Sequence, residues 1–540
     1  MRKFESLFIG VSLACVLGVC GAVSWCFIVR SADVQTVAYS VPDTRFGSFL
    51  AAQHAIHVND FDAAHEMFVF VPDVQYSVVN NSKMLSEFLT GRMPDQGAEL
   101  QDEKSLPSRF IYDAYLLRND KWAEFYNRHK NEDSALFSSL RIWGGVANNY
   151  KTNTIKYINS LKTNDSWKAF VRGQIYANTG DIDLAVKEFN NVSIDFMNLN
   201  DYMYMMSFYM HHDMSSHADA LRARFTSRPS GLFMLNYDDI PDWSVFAGYK
   251  NNLAFGLLQA VSHTQFLMYS DMSLMMLRFA QIIAPEYVRA NDIVHYYVGL
   301  FYFNNTGNFR REFDYIDDTS PYKLFALLRL VERGDDIKHM RNALSAHPLF
   351  VPAINKMIGY NIRHGDKSGA MSVISSALAQ DGLNDSTRAF FYKSRAQIHY
   401  SFGDYNSAQR DITSAKNVLG LDEEIMSLQA KVWAAQNREI ETAYKYAITL
   451  VSKNPSDVLA WDTLGCVVAV REGADAALDV LRRVGEVSDT HSALFMHLGD
   501  IYMTLGDVDN ARSSYIRAID LSDDGLVVVP ELERKLRKIK

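Results

Sequence analysis

The first pattern along the chain is an unbroken apolar run. From Leu7 to Val29, 23 residues carry no charge, with Arg2 and Lys3 before them and Arg30 after. At about 1.5 Å of rise per residue, a helix of that length crosses the hydrocarbon core of a bilayer. The run exceeds the apolar core of a secretory signal, typically about 7 to 15 residues. It therefore predicts a retained transmembrane helix over 7–29 behind a short tail, 1–6. A cleaved signal is the competing reading, because Cys20-Gly21-Ala22 offers small residues at a cleavage position and Gly18 and Gly21 could end a shorter core. Arg2 and Lys3 place the N-terminus on the cytoplasmic side and the body across the membrane, which in a bacterium is the periplasmic side. Arg30 weakens that bias.

Beyond a linker over 30–45, apolar positions fall at helical spacing and then repeat. Trp461, Leu464, Gly465, Val468, Ala477 and Leu481 mark two amphipathic helices joined by a turn. Phe495, Leu498, Gly499, Tyr502, Ala511, Tyr515 and Ala518 mark the same pattern 34 residues later. Small residues at Gly465, Gly499, Ala477 and Ala511 let the helices of one hairpin approach closely, while Trp461, Phe495 and Tyr515 fill the space between them. A lone hairpin cannot bury its second face, so each must stack on the next. Weaker copies are marked by a Gly-Asp turn and the alanine after it: Gly403-Asp404 with Ala408 and Ala415, Gly365-Asp366 with Ala370 and Ala377, and Gly180-Asp181 with Ala185 and Phe189. Another lies near the start, where Ala64 and Phe68 follow Asn59, which stands in the turn-glycine position. Two stretches break the pattern. Residues 72–107 predict a loop or an irregular pair, and 196–321 is poorly patterned, although its run from Tyr202 to Met210 is helical in composition. At the end, Pro530 suits a first helical position and Leu532, Leu536 and Ile539 share one face.

These residues resemble the tetratricopeptide-repeat (TPR) superfamily, and their order is similar to that of long membrane-anchored TPR proteins of alphaproteobacteria. The resemblance implies an all-α fold, a right-handed superhelical solenoid of TPR helical hairpins preceded by one N-terminal transmembrane helix. A degenerate array would occupy 46–195, the poorly patterned helical region 196–321, a C-terminal array 322–522 and a capping helix 523–540. It also implies a scaffold for protein–protein interaction in envelope or secretion assembly, with a partner protein or peptide held on the first helix of each hairpin. Carried over position by position, the peptide-facing places of the family fall on Phe390, Lys393, Gln397 and Tyr400, on Asp462 and Cys466, and on Met496, Asp500 and Met503. The Lys and Asn pair with which some TPR domains grip a terminal carboxylate is not reproduced, and a mixed groove suits an extended or helical segment. In this phase Gly499 is a helix contact, whereas Asp500 faces the groove and its loss should spare stability.

Composition narrows the classes further. A hydrophobic share of 48% and a charged share of 22% are those of a folded chain. A net charge of −9 with no long basic stripe argues against nucleic acid as a partner. Cys15, Cys20 and Cys26 lie in the apolar run, which leaves Cys466 as the one cysteine of the body, so an intramolecular disulfide or a thiolate zinc cluster has no place there. Cys466 follows the repeat Gly465 and reads as a small packing residue. His54, His57 and His65, and the group His211, His212, Asp213 and His217, lack clean i, i+4 ligand spacing and read as helix-surface or turn residues. No P-loop, GxSxG or HExxH is present. No catalytic, cofactor or metal residue is therefore assigned. The competing readings are an enzyme with its site in 196–321 and a secreted binding protein released by cleavage.

Overall fold

A computed structural model of the chain describes residues 45–72, 77–95, 105–134, 137–235, 237, 239–263, 271–304, 309–332, 336–487 and 490–539. The expected transmembrane stretch over 7–29 lies outside them, as do the tail and nearly all of the linker. Among the described residues every regular element is helical, and no helix is long and apolar enough to cross a membrane.

The helices come in hairpins because of what sits in their turns. Gly180, Gly365, Gly403 and Gly506 take positive φ between the two helices of a hairpin, a conformation glycine adopts without a Cβ clash. The aspartate that follows caps the second helix: Asp366, Asp404 and Asp507 accept from the backbone N–H three residues on. Asn59, Asp120, Asn149 and Asp213 take the same left-handed conformation in four hairpins of the N-terminal half. Asn and Asp tolerate it best among residues with a side chain, so those turns form without the glycine that makes the others easy to read.

Several hairpins close on one recurring contact. Gly173 faces Phe189, Gly465 faces Leu481 and Gly499 faces Tyr515, each pair 16 positions apart. A Cβ on Gly499 would stand 2.5 Å from the Tyr515 ring, and at the other two the approach is closer still. Gly299 and Phe313 make the same contact inside the region that reads as poorly patterned.

That region is where the molecule departs from the expected linear array. In a simple solenoid each unit touches only its neighbours. Here the helix Asp271–Ile283 packs against both Ser77–Leu89 and Leu106–Arg118, with the Phe110 and Phe279 rings 5.3 Å apart. Arg278 Nε donates to Leu89 O at 2.8 Å. The helix Tyr249–His263 lies on Ser138–Ala147. One core therefore joins residues from Phe61 to Met357, and the whole run Tyr202 to Tyr209 is buried in it. Residues 196–321 are the centre of this half. The stretch expected as loop or irregular pair contains the helix Ser77–Leu89, and Leu106 opens the next.

From Val351 the chain is a regular stack: Val351–Arg363 with Lys367–Leu378, Asp385–Ser401 with Tyr405–Leu419, Glu423–Ala435 with Ile440–Lys453, Val458–Arg471 with Ala474–Val487, and Ser492–Leu505 with Val508–Asp520. The helix Val529–Lys538 then buries Leu532 against Ala511 and Tyr515, as a cap should. The segment before it has a second role. Asp523 pairs with Arg363, Gly525 lies against Gly359, and Val528 packs on the apolar cluster of Ile358 and Ile362. The end of the chain thus reaches back to the first hairpin of the stack.

A groove closed by the end of the chain

The first helices of successive hairpins face a common space, and the terminal segment lies across it. Two cavities result. One, about 600 Å³, is lined by Gln397, Tyr400, Cys466, Met496, His497 and Asp500, and on the other side by Val527 to Lys535 of the terminal segment. The second, about 430 Å³, is lined by Ile358 and Gly359, by Phe390, Lys393 and Gln397, and by Asp524 to Leu526. Volumes of this order suit side chains or a short segment of a ligand.

Of the residues named from the sequence, Phe390, Lys393, Gln397, Tyr400, Met496 and Asp500 line these cavities. Met503 lies beyond them, on the surface and 40% exposed. Asp462 is fully buried, beneath the groove wall.

Several of the groove residues are already engaged. Lys393 donates to Asp422 at 2.8 Å and pairs with Glu424; burial works against its charge, but the two carboxylates hold its pKa above the ordinary value. Asp500 accepts from Tyr515 Oη at 2.6 Å and from Lys535 Nζ at 2.5 Å. This overturns the expectation that Asp500 is free of structural duty: it ties the last hairpin to the terminal helix. Burial raises the Tyr400 hydroxyl well above its usual range, so it stays protonated. Lys431 lies 5.7 Å from the centre of its ring.

The least expected feature is a polar cluster in the wall. His497 Nδ1 lies 2.6 Å from Asp462 Oδ1 and 3.3 Å from Cys466 Sγ. Burial would drive the imidazole neutral, but the Asp462 carboxylate raises its pKa well above the usual histidine value. Burial likewise opposes the charge of Asp462, and His497 holds its pKa below the ordinary range. Cys466, expected as a packing residue, is therefore part of a polar contact. His497 carries no motif of its own. The available signal is that Asp462 and Cys466 share one helix face at i, i+4, while His497 sits on the corresponding helix of the next repeat.

Residues 492–524 match the tetratricopeptide repeat family. No curated protein sequence matches the chain. Among solved structures, the crystal structure of yeast Tom70 is 13% identical, covering 82% of this chain and 96% of its own, with a TM-score of 0.29. The APC/C hetero-tetramer Cut9-Hcn1 is 14% identical, covering 89% and 96%, with a TM-score of 0.28. Residues 492–524 are thus a tetratricopeptide repeat, and the neighbouring hairpin, 34 residues earlier, repeats its pattern with the same glycine contact, Gly465 on Leu481 as Gly499 on Tyr515.

Proposed function

We propose that this protein is a membrane-tethered interaction scaffold that holds an extended or helical segment of a partner protein in the groove of residues 351–539. The carrying observation is the groove itself: first helices of consecutive hairpins line two neighbouring cavities that share Gln397 and have mixed polar and apolar walls. Partly apolar grooves lined by helices take peptide segments by packing side chains into pockets. The tether is the uncharged run Leu7–Val29, and its length favours retention over cleavage. With Arg2 and Lys3 on the cytoplasmic side, the groove would face the opposite side of the membrane, where it would serve envelope or secretion assembly.

The groove reading is tested in full-length protein carrying a photo-crosslinking residue at position 397, which lines both cavities, or at the exposed Leu184 as a control. A partner adduct specific to position 397 is expected. Adducts from Leu184 alone would reject the groove. The tether is tested by the mass of the mature chain and by its extraction from membranes at alkaline pH. A start near Val23, or release into the alkaline wash, would reject it.

A further inference from the structure

The Asp462, Cys466 and His497 cluster lies between successive hairpins, apart from the contacts that close them, Gly465 on Leu481 and Gly499 on Tyr515. Asp462 and Cys466 stand one turn apart on Val458–Arg471, and His497 reaches them from Ser492–Leu505. Their donor atoms all lie within 4.8 Å of one another. Asp462 is fully buried and its second oxygen, Oδ2, has no hydrogen-bond partner. A buried carboxylate oxygen left in that state is a rare arrangement that calls for a further partner. Cys466 and His497 border the larger cavity, so the cluster is reachable from the groove.

Two chemistries use these residue types, and the geometry separates them. A nucleophilic triad needs the carboxylate on one imidazole nitrogen and the nucleophile on the other, so that a proton can cross the ring. Here Asp462 and Cys466 both approach Nδ1. That arrangement offers no path across the ring, but it brings oxygen, sulfur and nitrogen donors to one point. We propose that Asp462, Cys466 and His497 bind a divalent transition metal of the zinc type, with a fourth position open to the groove.

Zinc distances of about 2.0 Å to nitrogen or oxygen and 2.3 Å to sulfur put the donors of a tetrahedral site about 3.3 to 3.5 Å apart. The 3.3 Å between Nδ1 and Sγ is already in that range, and the 2.6 Å between Nδ1 and Oδ1 is a hydrogen bond that the ion replaces. Two protons leave as the ion enters, one from Nδ1 and one from the thiol, while Asp462 is ionised beforehand. Thiolate and imidazole donors select against magnesium and calcium. Three protein ligands and an open position match zinc sites that hold an exchangeable group, here water or a donor from the groove's occupant. Only that fourth ligand rests on the groove reading; the three-residue site stands without a partner.

The test uses the purified full chain with Cys15, Cys20 and Cys26 changed to serine, so that Cys466 is the one thiol. Titration with cobalt(II) should give one equivalent bound, a thiolate-to-cobalt charge-transfer band and the intense visible bands of tetrahedral cobalt, all displaced by zinc. Cys466→Ser should abolish the charge-transfer band. His497→Gln and Asp462→Asn, checked by circular dichroism to melt like the parent, should weaken binding at least about tenfold. If Asp462→Asn fails to fold, His497→Gln alone carries the second arm. The proposal is overturned if no band forms, if the band survives Cys466→Ser, or if His497→Gln binds cobalt as the parent does. Because no partner is present, these outcomes are independent of crosslinking at position 397.

Discussion

At the scale of single residues, neighbours in sequence have different duties. Gly499 lets Tyr515 lie against its helix, and a Cβ there would stand 2.5 Å from the ring. Gly499→Leu must push Tyr515 aside or part the hairpin. Overpacking of this kind costs about 1 to 3 kcal/mol, and a thermal melt should show it. Asp500, one position on, is 43% exposed, and its ion pair with Lys535 is solvent-screened and worth little. Its bond from the hydroxyl of Tyr515, a buried side chain, matters more, at about 1 kcal/mol. Asp500→Ala should therefore lower stability by about 1 kcal/mol, and Asp500→Asn, which keeps an acceptor for Tyr515, by less. Equal melts for Asp500→Ala and the parent would show that the hydroxyl finds water instead.

At the scale of elements, the terminal segment behaves as a strap across the stack as well as a cap. Gly525 has φ of +71° and its backbone lies directly against Gly359. A β-branched side chain fits neither that conformation nor that space. Gly525→Val should lift the segment off Val351–Arg363, breaking the Asp523 to Arg363 pair and opening both cavities. Hydrogen exchange should rise over 522–539 and stay unchanged over 165–189. Partner adducts at position 397 should increase as the groove opens. Unchanged exchange over 522–539 would mean that the segment is held by Leu532 and Ile539 on the last hairpin alone.

At the scale of the molecule, the two halves are held together by different rules. The stack from 351 onward has several small apolar clusters handed from hairpin to hairpin, so damage should stay local. Beyond its first hairpin, which has a small cluster of its own, the N-terminal half shares one core and should unfold as a unit. Within that core Arg278 donates to Glu312 at 2.7 Å, and His295 lies 2.9 Å from the same carboxylate. Burial alone would raise the pKa of Glu312, but Arg278 and His295 hold it down to about 2. The sign follows from linkage. A depressed carboxyl pKa contributes stability that is complete above the ordinary value of 4.5 and is lost as pH falls toward about 2. Glu312→Ala leaves the Arg278 charge buried without its partner and should cost about 3 to 5 kcal/mol. The gap between parent and Glu312→Gln in urea melts should shrink steadily from pH 5 to pH 2. A constant gap would show that the carboxylate charge is not the source.

Local chemistry was enough to read the C-terminal hairpins. Gly-Asp turns, alanines at the close approach and an aromatic or leucine 16 positions after the glycine are all short-range signals, and each reports a contact within one hairpin. In the N-terminal half Asp120, Asn149 and Asp213 replace the turn glycine, which hides hairpins that the backbone still forms. The return of Asp271–Ile283 to Ser77–Leu89 leaves no periodic trace, because it pairs surfaces about 190 positions apart and demands only that both be apolar. In the groove, the repeat phase placed Gln397, Tyr400 and Met496 on the shared face, since helix periodicity decides which side a residue takes. Three facts came from the tertiary structure alone: the burial of Asp462, the approach of His497 to Cys466, and the strap that closes the space. Each depends on how one hairpin is displaced against the next or on where the chain end lands. Those are set by the summed packing of many side chains, so no motif within a single repeat could have encoded them.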